Sequence, residues 1–147
     1  MSVSGEVEIL LVEDSPDDVE MTLRALRKAN IVNRIAVARD GAEALAFLFG
    51  AEGQTEDRVE MTPKLILLDL KLPKVDGFEV LKRVKSDPRT ALIPVVILTS
   101  SREHRDVVEG YSLGVNSYIV KPVSFEGFLE AVGKLGMYWM LLNQPPV

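Results

Sequence analysis

Five short apolar runs punctuate the chain: Ile9-Leu10-Leu11-Val12, Arg34 to Ala38, Leu65-Ile66-Leu67-Leu68, Val95-Val96-Ile97-Leu98 and Tyr118-Ile119-Val120. Three of them are apolar at every position. A strand with one wet face alternates apolar and polar residues. An unbroken run predicts a strand covered on both faces, as in a parallel sheet between two helix layers.

The stretches between the runs carry helix start signals. Ser15 precedes Pro16 and stands three before Asp18, which predicts an N-cap, a proline in the first turn and an acid near the positive helix end. Asp40 stands three before Glu43 and Asp76 three before Glu79, both the spacing of a capping box; Ser100 stands three before Glu103, and Ser124 fits the cap of the last helix. Apolar residues then recur at helical spacing, as Val19, Leu23 and Leu26 in the first helix and Phe125, Phe128, Leu129 and Val132 in the last. Gly50 and Gly114 fit helix stops.

The pattern is strand then helix, five times over. Such alternation gives a parallel sheet with right-handed crossovers. The expected fold is α/β, a flavodoxin-like doubly wound (βα)5 with strand order 2-1-3-4-5. Residues 50–63 form a long polar connection before the third strand, expected to be a surface insertion.

In doubly wound sheets the ligand lies beyond the carboxyl ends of the strands. Glu13 and Asp14 follow the first run, Asp69 the third, Thr99, Ser100 and Ser101 the fourth, and Lys121 and Pro122 the fifth. With the first and third strands adjacent, three carboxylates converge with one hydroxyl and one ammonium. Clustered carboxylates stay ionised together only beside a cation. All-oxygen ligands favour Mg²⁺, which keeps waters or takes phosphate oxygens. The set describes a phosphoryl-transfer site with a carboxylate as the attacking group. Asp69 is the expected nucleophile. Glu13, Asp14 and Asp69 are the expected metal ligands, with the backbone carbonyl of Lys71 completing the shell.

Composition narrows the class. The 147 residues contain 17 Lys plus Arg and 22 Asp plus Glu, a net charge of −5, which argues against nucleic acid as the main partner. There is no Cys and only one His, His104, so thiolate chemistry and multi-histidine metal sites are excluded; His104 itself is expected on the surface. No apolar run reaches the roughly 18 residues of a membrane span. The first twelve residues carry Glu6 and Glu8 and no basic residue, the reverse of a secretory signal. A cytoplasmic, acidic, single-domain protein is expected.

The acidic pair Glu13-Asp14, then Asp69, Thr99 and Lys121-Pro122, resemble in order and spacing the five-point constellation of two-component response regulator receiver domains. The run from Asp69 through Pro73, Asp76 and Gly77 to Glu79 resembles that family's phosphoacceptor signature. The resemblance covers about residues 7 to 135. Softer features, IPVVILTSS, SYIVKPVSFEGF and the apolar tail MYWMLL, are most similar to the single-domain regulators paired with bacterial phytochrome histidine kinases.

The resemblance implies that Asp69 accepts a phosphoryl group from a sensor histidine kinase, with Mg²⁺ as cofactor. It implies that Thr99 turns toward that group, that Lys121 pairs with it, that Tyr118 is the aromatic that rotates inward, and that the bond to Pro122 is cis. The chain is then no enzyme beyond its own phosphorylation and dephosphorylation. The residue two past Asp69, Lys71, and the residue two past Thr99, Ser101, flank the site where the family varies; Ser100 departs mildly from the smaller Ala common there. By the same analogy the kinase meets the first helix (Asp18, Met21, Thr22) and the loop at Pro122-Val123.

One domain spanning 1–147 is expected, with residues 136–147 an apolar extension of the last helix. Only 26 residues follow Lys121, so output is expected through protein contact or assembly rather than a DNA-binding domain. The tail residues Leu135, Tyr138, Trp139 and Leu142 are apolar on more faces than one packing stripe needs, which suggests a homodimer.

Rival classes fit less well. A haloacid-dehalogenase-type phosphatase needs a second Asp where Lys71 stands. An FMN carrier needs a Ser/Thr/Gly-rich loop where Glu13-Asp14 stands. A P-loop NTPase needs a motif the chain lacks. A receiver-shaped docking module that works without phosphorylation remains the alternative.

Overall fold

The computed structural model describes residues 8–29, 35–50, 62–70, 72, 75–99 and 112–134. Among the described residues the elements in order are β1 (Ile9–Val12), α1 (Pro16–Lys28), β2 (Ile35–Ala38), α2 (Gly41–Phe49), β3 (Leu65–Asp69), α3 (Gly77–Ser86), β4 (Val95–Thr99), β5 (Ser117–Val120) and α4 (Phe125–Lys134). The five strands form one parallel sheet in the order β2-β1-β3-β4-β5, the order expected. The helix expected after Ser100 and most of the 50–63 connection lie outside the described residues, as do Arg34 and His104.

The unbroken apolar runs divide their side chains between two layers. Ile9, Leu11, Leu65, Leu67, Val96 and Leu98 point to one face, where they meet Leu26 of α1 and Phe128 of α4. Leu10, Val12, Ile66, Leu68, Val95 and Ile97 point to the other, against Leu48 and Phe49 of α2 and Val80, Leu81 and Val84 of α3. Successive strand residues face opposite sides, so two helix layers require apolar residues at both parities. The edge strands depart from this: three of the four residues of β2 are only partly buried, and β5 leaves Tyr118 exposed and Val120 partly buried.

The caps hold the helices where the sequence places them. Asp18 N–H donates to Ser15 Oγ at 3.3 Å, Glu43 N–H to Asp40 Oδ1 at 2.7 Å and Gly127 N–H to Ser124 Oγ at 2.9 Å. Glu43 also accepts from the Arg39 N–H, closing its turn in both directions. The expected box at Asp76 takes a different form. Asp76 accepts from Phe78 N–H at 2.6 Å, one residue short of Glu79, and the Glu79 carboxylate lies instead 4.0 Å from Lys82 Nζ. The turn is tighter there because Gly77 N–H donates back to Leu70 O at 3.0 Å. Gly50 and Gly114 both have positive φ, as expected of chain reversals.

Candidate functional site

Register sets the site. Val12 pairs with Leu68, so the residues that follow, Glu13 and Asp69, leave β1 and β3 at the same level. Glu13 N–H donates to Ala38 O at 2.9 Å, which extends the ladder one residue past β1 and fixes the Glu13 backbone. Glu13 is fully buried, Asp69 nearly so, and Asp14 exposed. Carboxylate oxygens of these three residues lie within 4.8 Å of one another. Three hard oxygen donors at that spacing, two of them withdrawn from bulk water, fit a divalent cation. The carbonyl of Lys71 lies outside the described residues.

Opposite the acids, Lys121 follows β5. Its backbone N–H donates to Thr99 O at 2.7 Å, which ties the loop after β5 to the end of β4. Its ammonium reaches three carboxylates: Glu13 Oε1 at 3.0 Å, Asp18 Oδ2 at 3.0 Å and Asp69 Oδ2 at 3.1 Å. A lysine ammonium has three N–H donors, and three carboxylates meet them. The Lys121–Pro122 peptide is cis. Thr99 ends β4, buried at the rim of the site, whereas Tyr118 on β5 is turned outward and 39% exposed.

The sequence offers Asp18 as a helix-start acid and, by resemblance, as a kinase contact; its bond to Lys121 is visible only in the structure. Three residues, 13–15, join β1 to α1, so the first turn of α1 overhangs the carboxyl end of the sheet. Asp18 in that turn faces Lys121. The spacing of strand-end residues does not reveal it, because it comes from a helix. The expected kinase-facing set on this helix divides accordingly. Met21 is exposed, Asp18 is engaged with Lys121, and Thr22 is buried at 1% exposure, so Thr22 is a core residue and not a surface contact. Helical rotation explains the difference, since Thr22 shares the inward stripe with Val19 and Leu26. In the other loop Pro122 is exposed and Val123 buried.

The electrostatics are those of a site short of positive charge. Burial pushes the Glu13 carboxyl up to about 7; the hydrogen bond from Lys121 opposes the rise and the Asp69 charge adds to it. Burial alone would lower the Lys121 ammonium, but its bonds to Glu13 and Asp18, with the Asp69 charge, hold it above the ordinary lysine value. Lys121 is therefore cationic throughout the neutral range.

The sequence model of the response regulator receiver domain matches residues 9–133. The chain belongs to the response regulator receiver family. Phosphorylation on an aspartate is the general mechanism of these receivers, which are typically signalling domains without catalysis of their own. The chain is 52% identical to the bacteriophytochrome response regulator AtBRR, whose structure it matches with a TM-score of 0.81 over 95% of this chain and 99% of that one. It is 42% identical to the probable methanogenesis regulatory protein FilR2 of Methanothrix harundinacea (strain 6Ac), over 94% of this chain and 86% of that protein. It is 40% identical to the response regulator Rcp1 of Synechocystis sp. (strain ATCC 27184 / PCC 6803 / Kazusa), over 90% of this chain and 88% of that protein. The structure of the Mn²⁺-bound form of Rcp1 matches this receiver with a TM-score of 0.73 and 38% identity, over 96% and 98% of the two chains.

Among the described residues of this receiver, no helix is long and apolar enough to cross a membrane.

Proposed function

We propose that this receiver takes a phosphoryl group from a histidine kinase onto Asp69 and passes the signal on through contact with other proteins. The observation that carries the proposal is the Lys121 ammonium 3.1 Å from Asp69 Oδ2, beside the Glu13-Asp14-Asp69 oxygen cluster. A phosphohistidine supplies the phosphoryl group. An Asp69 oxygen attacks phosphorus, the O–P bond forms as the N–P bond breaks, and the imidazole leaves with the electron pair. Mg²⁺ suits the hard-oxygen set, held by Glu13, Asp14, Asp69 and the Lys71 carbonyl; when bound, it offsets the charge on the phosphoryl oxygens. The chain's own part is positional. The end of β3 holds Asp69 rigid, Lys121 pairs with the transferred group, and the Thr99 hydroxyl donates to one of its oxygens.

Phosphorylation replaces a carboxylate by a group of about −1.5 to −2 charge with three acceptor oxygens. Thr99 and Lys121 then have a new partner. The outward Tyr118, one strand over from Thr99, is the side chain placed to follow Thr99 inward, which alters the β5 face. The likeness to bacteriophytochrome response regulators supports a phytochrome-type kinase as the donor. We read 1–147 as a single receiver domain acting in the cytoplasm, self-associating through Leu135, Tyr138, Trp139 and Leu142, which lie outside the described residues.

Intact mass after incubation with a small phosphodonor tests the chemistry. The expected result is a gain of one phosphoryl group that requires Mg²⁺ and is absent in Asp69→Asn. No gain under conditions that label another receiver would leave a docking module that works without phosphorylation.

A further inference from the structure

Two of the three bonds of the Lys121 ammonium go to the buried acids Glu13 and Asp69, and the third goes to Asp18, outside the Glu13-Asp14-Asp69 cluster. Asp18 Oδ2 lies 3.0 Å from Nζ, as close as Glu13 Oε1 and closer than Asp69 Oδ2. The Lys121 side chain is 10% exposed, so its donors have little access to water. The bonds are charge-assisted and partly buried, the regime in which such contacts are strongest. Asp18 is positioned firmly. Its own N–H is capped by Ser15 Oγ, and Ser15 N–H in turn donates to Glu13 Oε2 at 3.3 Å. One short chain segment therefore holds two of the three carboxylates around the ammonium.

A lysine has three donors and no more. A phosphoryl group on Asp69 brings new acceptor oxygens to the same ammonium. With Asp18 in place, the lysine gives that group only the donor released by the Asp69 carboxylate. Without it, a second donor is free to turn to the phosphoryl oxygens.

Resting on the phosphoacceptor reading, we propose that Asp18 is a positioning residue that competes with the phosphoryl group for Lys121, and so biases this receiver toward its unphosphorylated arrangement. It acts through the lysine and touches no reacting atom. The bias is a population shift whose size is the difference in how tightly the lysine is held in the two states.

The test is the affinity of the full chain for beryllofluoride, a phosphoryl mimic, in the presence of Mg²⁺, read by fluorine NMR. Asp18→Asn keeps the shape and removes the charge. The expected result is about tenfold tighter binding, the scale of one charge-assisted hydrogen bond, with Asp18→Glu restoring weaker binding. In a Lys121→Met background, Asp18→Asn is expected to change nothing. A helix-cap role alone would not tighten binding, and would not depend on Lys121. Equal or weaker binding by Asp18→Asn overturns the proposal, and so does an Asp18→Asn effect that survives in the Lys121→Met background. A wild-type chain that fails to bind the mimic overturns the phosphoacceptor reading and this inference together, whereas wild-type binding with an indifferent Asp18→Asn overturns this inference alone.

Discussion

Glu13 shows how one side chain links ionisation, folding and ligand binding. Its carboxyl is pushed up to about 7 by burial, well above the ordinary 4.5. A raised carboxyl contributes stability that is fully present below the ordinary value and is lost as pH rises through the shifted one. Without a divalent cation, the protein is therefore expected to lose stability between about pH 4.5 and about pH 7, as Glu13 is forced to ionise beside Asp69. A cation favours the ionised form and competes with the proton. The rise in melting temperature on adding Mg²⁺ should be small at about pH 5.5 and larger at about pH 8. Melting curves in Mg²⁺ and in chelator across that range check it, and a Mg²⁺ effect independent of pH would contradict it. Lys121 adds no slope in this window, because its shift lies above neutral pH.

Among the elements, α3 packs directly against the backbone at Asp69 and Leu70. A Cβ built on Gly77 would lie 2.5 Å from Asp69 O and 2.5 Å from Leu70 Cα. Backbone stands there, with no flexible side-chain end to move aside. Glycine is required because the N-terminus of α3 sits directly on the end of β3, at Asp69 and Leu70. Gly77→Ala is expected to cost about 1–3 kcal/mol, the usual range for overpacking, and to weaken metal binding in parallel, because the displaced backbone is that of Asp69, a candidate ligand. Urea denaturation and Mg²⁺ titration of the same variant check both; a loss of stability with unchanged metal affinity would detach α3 from the site.

The same element shows the limits of sequence pattern. Asp76-Gly77 is legible as a helix start. That Asp76 caps Phe78 and not Glu79 follows from the close approach of Gly77 to Leu70, a tertiary contact that spacing cannot encode. Asp18 is similar: its helical position is legible, its partner across the sheet is not. By contrast, Glu13, Asp69, Thr99 and Lys121 are legible because strand ends in a doubly wound sheet all face one way. The burial of Thr22 is not legible in the sequence, because surface and core positions on a helix differ by a single residue.

At the scale of the whole molecule, the sheet separates two apolar layers, and the described core accounts for α1 to α4. The sequence beyond α4, which lies outside the described residues, is rich in large apolar side chains from Leu135 to Leu142. A homodimer through Leu135, Tyr138, Trp139 and Leu142 is the expected consequence. Sedimentation equilibrium should show a dimer for the wild type and a shift toward monomer in Trp139→Ala; a monomer at high micromolar concentration would rule the interface out. Trp139 is the only tryptophan, so its fluorescence should report the same association.

A parallel sheet has two unlike poles. Glu13, Asp14, Asp69, Thr99 and Lys121 all sit at one of them. At the other, in the turn that leads into β4, Leu92 stands 94% exposed on a loop pinned by Lys85 Nζ to Ala91 O and Ile93 O and by Thr90 Oγ1 to Val84 O. The chain has no cysteine, so Leu92→Cys would create its single thiol. That position gives a rigid, chemically unique handle on the far side of the sheet. A surface tether attached there leaves the Asp69 end open to solution, which makes this receiver suited to oriented immobilisation through a single site.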